Sequence, residues 1–430
     1  MFSPTQILWM WLRGLLAIAL IGIGIALLAD WYQRRERVVE EPAPVVAQGQ
    51  DVGEPNLPKG ATRTRVERWQ FGWNRETAML LGGSVLLLWS FGGGFSIYPR
   101  LFRRVERDGP RDDPNARRQK LRMADGSEIL METSGSPGGD VVVLTHGWGL
   151  DRNEWHYARQ ELGERIRLVT WDLPGLGDSD RPTDRDWSVE RLAHCLDAVV
   201  SAVGEPVVLM GHSIGVMTTL TYCKLYPNAL GTRVRGLVLT HGTYTNPVRT
   251  TKHAWLYTAL QKPVLEPLCH LMIWLSPLVR VMNWLSYMNG SAHRQCAWSS
   301  FCGAESRQQL DYVARRYAAA APDVIAHGML GMFRYDATAT LPSIRIPVLV
   351  VAGDRDTTCL PEASQYMASA MPIARLVTLT PAKHCGLLEH HADLHGHVLD
   401  FLTSLPAAAS SSAVAADSLA SAAHAVRNVT

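Results

Sequence analysis

The chain has 430 residues, 47% hydrophobic and 19% charged, with a formal net charge of +2. That length allows one large domain with appendages and an ample core. The small net charge, with basic residues dispersed among acidic ones, argues against a nucleic-acid partner. The seven cysteines (Cys195, Cys223, Cys269, Cys296, Cys302, Cys359, Cys385) form no C-x-x-C pair and no zinc spacing. They read as buried, reduced thiols.

The N-terminus does not belong to a globular domain. Ile7 to Ala29 is nearly all apolar, broken by Arg13. About 20 apolar residues suffice to cross a bilayer. A signal peptide is the rival reading, but the run is long and no small-x-small site precedes Asp30. A second uncharged run, Thr77 to Pro99, follows, with Trp69 and Trp73 before it and Tyr98 at its end. Interfacial aromatics are common there. Two membrane spans, at about 7–29 and 77–99, are therefore expected. The intervening 40–68, rich in Glu, Pro and Gly, reads as an extended linker. Eight Lys/Arg in 30–76 oppose nine between Arg100 and Arg122. The denser cluster after Pro99 and the unpaired cysteines favour a cytoplasmic C-terminal domain. The anchor with its linker is assigned to 1–116.

From about 117 the pattern becomes that of an α/β domain. Gln119 to Ser134 alternates around Asp125-Gly126, a hairpin signal. Apolar runs then begin at Val141, Ile166, Val207, Gly236, Pro347 and Ala374, separated by helical stretches. Near-continuous Val/Leu runs suit a mostly parallel central sheet with helices on both faces. The core is expected over 117–241 and 339–403. Residues 242–338, rich in Trp, Leu and Met, read as a helical cap inserted between two strands. Met and aromatic side chains there could line an acyl-chain groove. Residues 404–430 form an Ala/Ser-rich tract, expected to be disordered.

Chemistry converges on Val207-Val-Leu-Met-Gly211-His-Ser213-Ile-Gly215. A buried strand runs into G-x-S-x-G and then into a helix, the context in which a serine is thrust out on a sharp turn. Ile214 opens the helix, so its N–H has no intrahelical partner and can face an oxyanion. After the strand at 141–145 stands His146-Gly147-Trp148-Gly149, where the Trp148 N–H could be a second oxyanion donor. His146 is expected to orient this loop. After the strand at 347–352, Asp354 and Asp356 both sit where ligands bind in such sheets. After the strand at 374–380 comes His384, the expected general base.

These motifs together resemble the α/β-hydrolase fold family, in the branch whose strand-to-helix serine is followed by Asp and then His. The resemblance covers 117–403. It rests on His146-Gly-Trp-Gly149, Asp172-Leu-Pro-Gly-Leu-Gly-Asp-Ser179, Gly211-His-Ser-Ile-Gly215, Gly353-x-x-Asp356, and His384 with Glu389 five later. It implies Asp356 rather than Asp354 as the acid, from its spacing to Gly353. Lys383 stands where that family often has glycine. Sister enzymes that open epoxides or displace halides use an aspartate nucleophile. A serine activated by histidine suits attack on an acyl carbonyl.

The sequence thus predicts a membrane-anchored serine hydrolase of lipophilic carboxylic esters, with Ser213, Asp356 and His384 catalytic and no cofactor. A catalytically silent scaffold, tethered to the membrane as a binding protein, is the alternative. His390, His391, His395 and His397 lie on the last helix without a recognisable carboxylate spacing. They are read as a solvated face rather than a metal site. Cys385 and Cys359, near the expected triad, are read as packed side chains.

Overall fold

The computed structural model describes residues 4–42, 62–101 and 109–406. The Ala/Ser-rich tract beyond 406 and Arg103, Arg104 and Arg107 lie outside the described residues. Two helices lead the chain, α1 (Pro4–Arg34) and α2 (Arg75–Leu101), packed together as a hairpin. Within them, Trp9–Arg34 and Arg75–Gly94 are long and apolar enough to cross a membrane.

The segment between them is not wholly an extended linker. Strand β1 (Glu36–Pro42) pairs antiparallel with β2 (Thr62–Arg68). Opposite charges face each other at Glu36↔Arg68 and Arg37↔Glu67, a favourable cross-strand arrangement. The ribbon has no continuous apolar face, so its composition hid it. Residues 43–61 of the expected linker lie outside the described residues.

The sheet begins with β3 (Arg117–Arg122) and β4 (Glu128–Gly135), an antiparallel hairpin. Then come β5 (Val141–Thr145), α3 (His156–Leu162), β6 (Arg167–Trp171), α4 (Val189–Val203), β7 (Val207–His212), α5 (Ile214–Leu225) and β8 (Val234–Thr240). Helices α6 (Ala254–Leu260), α7 (Glu266–Trp274), α8 (Ser276–Met288), α9 (Ser291–Ser300), α10 (Arg307–Ala319) and α11 (Pro322–Met332) follow. The chain then returns through β9 (Val348–Gly353), α12 (Pro361–Ala370), β10 (Ala374–Leu379), α13 (Gly386–Glu389) and α14 (His391–Ser404).

The strand order is β10-β9-β8-β7-β5-β6-β4-β3. Pairing is parallel from β10 to β6 and antiparallel for β4 and β3. Successive side chains point to opposite faces. Val141, Val143, Val207 and Leu209 therefore join one core layer, with α4 and α5. Val142, Leu144, Val208 and Met210 join the other, with α3 and α14. Each such aliphatic side chain is worth about 1.5–3 kcal/mol on burial, which explains why the Val/Leu runs are continuous. All the parallel strands end on one edge, where the loops after β5, β7, β9 and β10 meet.

Candidate active site

The loop after β7 turns back on itself at Ser213, which has φ 59° and ψ −111°. Such a conformation costs a non-glycine residue about 1–3 kcal/mol and persists only where its surroundings enforce it. The enforcement is steric. A Cβ on Gly211 would lie 2.4 Å from the Gly215 carbonyl carbon, and one on Gly215 would lie 2.4 Å from Thr145 O. Only glycine at both positions lets β7, the turn and β5 approach this closely. Ser213 N–H donates to Thr240 O at the end of β8 (3.0 Å), fixing the turn from the other side.

Ser213 Oγ lies 2.9 Å from His384 Nε2, and His384 Nδ1 lies 2.7 Å from Asp356 Oδ2. The serine comes from the turn after β7, the histidine from the loop after β10, and the aspartate from the loop after β9. Asp356 Oδ1 accepts from the N–H groups of Thr358 and Cys359, at 2.7 and 3.0 Å. Those bonds leave Oδ2 for the imidazole. Asp354 is turned away, accepting instead from Ala382 N–H (2.8 Å).

All three side chains are sealed from solvent. Burial pulls His384 down to about 3, against the upward pull of Asp356. For Asp356 burial pushes upward, but the His384 imidazole, hydrogen-bonded at 2.7 Å, and the nearby His241 outweigh it. Its carboxyl is held well below the usual range. The pair is thus poised as neutral imidazole beside carboxylate, the state a general base requires.

Trp148 lies in the loop after β5, and Ile214 directly follows the serine. Ile214 is the first residue of α5. The Trp148 indole is fully buried, and its Nε1 donates to Ile325 O of α11 (3.2 Å). Helix α11 lies directly on that ring, with a Cβ on Gly328 only 2.0 Å from it. His146 donates from Nδ1 to Gly147 O (2.8 Å) and accepts at Nε2 from Leu173 N–H (3.0 Å). Both nitrogens are engaged in holding the loop.

Several residues around this constellation escaped the sequence reading. Glu154 and His212 are both fully buried. Glu154 Oε1 is 2.6 Å from His212 Nδ1, and Oε2 accepts from Gly147 N–H at 2.7 Å. His212 Nε2 in turn faces His384 O at 3.0 Å. One ion pair therefore ties together the Trp148 loop, the serine turn and the histidine loop. Burial pushes Glu154 upward, yet the close approach of His212 and the Gly147 N–H bond keep it below the ordinary value. Glu154 stands in the polar stretch Asp151-Arg-Asn-Glu-Trp-His156, so nothing in the sequence marked it as buried. His241, at the end of β8, has Nδ1 3.6 Å from Asp356 Oδ2, and burial lowers its pKa. Beneath the loops, Arg152 bridges Asp172, Glu132 and Asp178. Asp172 opens the Asp172–Ser179 motif, so that motif serves to brace the turn at 152–155.

The histidines of α14 are not simply a solvated face. His391 Nδ1 and His395 Nδ1 each lie 2.5 Å from a different oxygen of Glu161 in α3. The three could together hold a metal ion. A carboxylate from another helix is invisible to spacing within one. Glu389 accepts from Cys302 and Ala304 N–H, and burial lifts it to about 7. Cys359 and Cys385 are buried, and burial pushes both thiols well above their usual range, so neither offers a thiolate.

A nucleophile-turn serine, a strand-end acid and a late histidine on this sheet define an α/β hydrolase. The model of the alpha/beta hydrolase family matches residues 142–395. The chain belongs to that family, and it is an esterase-like member. Among curated relatives, the pimeloyl-[acyl-carrier protein] methyl ester esterase of Xanthomonas axonopodis pv. citri is 26% identical over 272 residues, 62% of this chain and 97% of that protein. The enzyme of the same name from Methylococcus capsulatus is 39% identical over 115 residues, 27% of this chain and 41% of its own. A thermophilic esterase from Thermogutta terrifontis superposes with a TM-score of 0.53 at 24% identity, covering 67% of this chain and 98% of its own. That likeness carries the fold alone.

Proposed function

We propose that the protein is a membrane-anchored serine hydrolase of lipophilic carboxylic esters. Ser213 attacks the acyl carbonyl as His384 takes its proton, while Asp356 holds the imidazole and stabilises its charge. The N–H groups of Trp148 and Ile214 receive the oxyanion. His384 then protonates the leaving alcohol, and water repeats the sequence to release the acid. The observation that carries this reading is the relay Asp356–His384–Ser213, at 2.7 and 2.9 Å.

Helices α6 to α11 act as the cap over the site, and α1 and α2 as the membrane anchor. The arginine-rich segment after α2 favours the cytoplasmic face for the catalytic domain. Esters named for the relatives set the first substrates to try, methyl esters of medium-chain acyl groups among them.

The test is hydrolysis of p-nitrophenyl esters of graded acyl length by the detergent-solubilised chain. Wild type is expected to turn them over, with longer acyl chains preferred. Ser213→Ala and His384→Ala should each lose at least about a thousandfold. Equal rates for wild type and Ser213→Ala would instead support the silent-scaffold alternative, for which the sealed Ser213 is the one favouring observation.

A further inference from the structure

The hairpin does not hang free of the catalytic domain. Helix α8 packs against both α1 and α2. Gly14 sits on Met282, where a Cβ would come within 2.2 Å of that side chain. Gly94 sits on the Met288 carbonyl and Gly93 near the Asn289 carbonyl, at 2.7 and 3.1 Å from a Cβ. Arg13, the one charge in the first apolar run, faces a small cavity shared with Asn283, Gln295 and Ser299. Its charge is thus sheltered by the catalytic domain rather than by lipid.

This seat sets a length problem. Beyond it, only about 15 apolar residues of α1 (15–29) and about 15 of α2 (78–92) remain, roughly 22 Å of helix at about 1.5 Å per residue. The hydrocarbon core is about 30 Å thick. The hairpin alone therefore falls short by about 8 Å. Trp9 and Leu12 are exposed on α1 beside the seat, so the lipid-facing surface continues to that level.

The bend between α7 and α8 supplies the missing depth. The two helices meet at 96°. Leu271, Trp274, Leu278, Val281, Trp284 and Met288 are all exposed, at helical spacing along one face of the bend. Trp274 is 78% exposed. Between Glu266 and Glu305 the chain carries no Asp or Glu, and its fixed cations there are Arg280 and Arg294. A broad apolar face, whose own segment carries Arg280 and no acid between Glu266 and Glu305 and which is continuous with a membrane hairpin, fits one occupant, a lipid bilayer.

We propose that the α7–α8 bend is sunk into the leaflet on the catalytic side, so that hairpin and bend form one membrane-embedded unit. The substrate is then an amphiphilic ester resident in that leaflet. The depth needed, about 8 Å, matches the roughly 5–10 Å at which amphipathic elements lie in the interface. The entry route follows from packing. Ser276 at the bend bonds Asp323 of α11 (2.9 Å), and α11 packs on α7. A groove between bend and α11 is lined by the apolar Trp187, Ile273 and Pro277 and by the charged Arg181, Arg185 and Asp323. Gly328 of α11 rests on Trp148. The amphiphile enters through this groove, its chain along Ile273 and Pro277 and its polar end towards the arginines, and α11 is the element that moves to admit the ester to Ser213. The entry route rests on the hydrolase reading above; the depth of the bend does not.

The test uses the full chain in phosphatidylcholine vesicles containing phosphatidylglycerol. Nitroxides are placed at Leu278→Cys, Leu88→Cys or Ile373→Cys, in a Cys302→Ser background. Collision with oxygen and with a water-soluble nickel chelate reports depth. The oxygen-to-nickel ratio at 278 is expected to approach that at 88 and to exceed that at 373 roughly fivefold or more. A label at 278 as aqueous as that at 373, with 88 in hydrocarbon, overturns the proposal. A label at 88 that is itself aqueous overturns the membrane hairpin as well. In parallel, Leu278→Asp/Val281→Asp should slow hydrolysis of a long-chain ester in vesicles about tenfold or more, with a short soluble ester hydrolysed at the wild-type rate. Unchanged rates on both substrates overturn the entry route. A wild type inert towards the short ester sinks the hydrolase reading alone, and the depth measurement still decides the membrane proposal.

Discussion

At Ser213 the backbone is strained, the side chain is covered, and its partner His384 is held neutral by burial. A histidine with a lowered pKa keeps its base form as pH falls. With His384 near 3, kcat/KM for a small soluble ester should stay flat between about pH 5 and 8, with any acid limb below that range. An acid limb centred near the ordinary histidine value of about 6.5 would mean that water enters before the base acts. Asp356→Asn should leave the fold intact and lower kcat by roughly ten-thousandfold, because the wrong tautomer then faces Ser213. Glu154 gives a different signature. Glu154→Gln removes a charge-assisted bond worth about 1.5–3 kcal/mol. If the Glu154–His212 pair positions the Trp148 and His384 loops, kcat should fall roughly ten- to hundredfold with KM little changed. A lower melting temperature with unaltered kcat would reduce the pair to a purely structural part.

At the scale of elements, α11 is the helix that rests on the Trp148 loop beside the site. Its Gly328 meets the Trp148 ring, and Trp148 is pinned to Ile325 of the same helix. Gly328→Ala puts a methyl group into that contact. The ring is enclosed on all sides, so the helix is the part able to give. Ser213 should then react faster with a small serine-directed reagent than in wild type. Slower or equal reaction would show that α11 does not control access. The strands and their order of loops were legible in the sequence because burial on both faces demands continuous Val/Leu runs, and Gly211 and Gly215 announce a turn that excludes Cβ atoms. The ribbon β1–β2 was not legible, since its pairing rests on charges such as Arg37↔Glu67 rather than on apolar alternation. Nor was the Glu161–His391–His395 cluster, whose members come from α3 and α14, far apart in the chain.

For the whole molecule, the hairpin and the catalytic domain are one packed body, joined at Met282 and Asn289. Sequence could indicate two apolar runs but not where they dock, because the glycines at 14, 93 and 94 look like ordinary membrane-helix glycines until their neighbours are known. An anchor of the kind proposed for α1 and α2 would raise the local concentration of enzyme at a membrane-resident substrate. Removing residues 1–108 should therefore slow hydrolysis of esters in vesicles by about tenfold or more, with the rate on a short soluble ester changed by less than about threefold. Equal loss on both substrates would mean that α1 and α2 also brace the catalytic geometry through α8.

The central claim is that Ser213 is a nucleophile activated by His384. It is tested most directly by treating the full chain in detergent with a fluorophosphonate and mapping the modified peptide by mass spectrometry. A single adduct at Ser213 is expected in wild type and none in Ser213→Ala or His384→Ala. An adduct on another residue, or equal labelling of the His384→Ala protein, would contradict it.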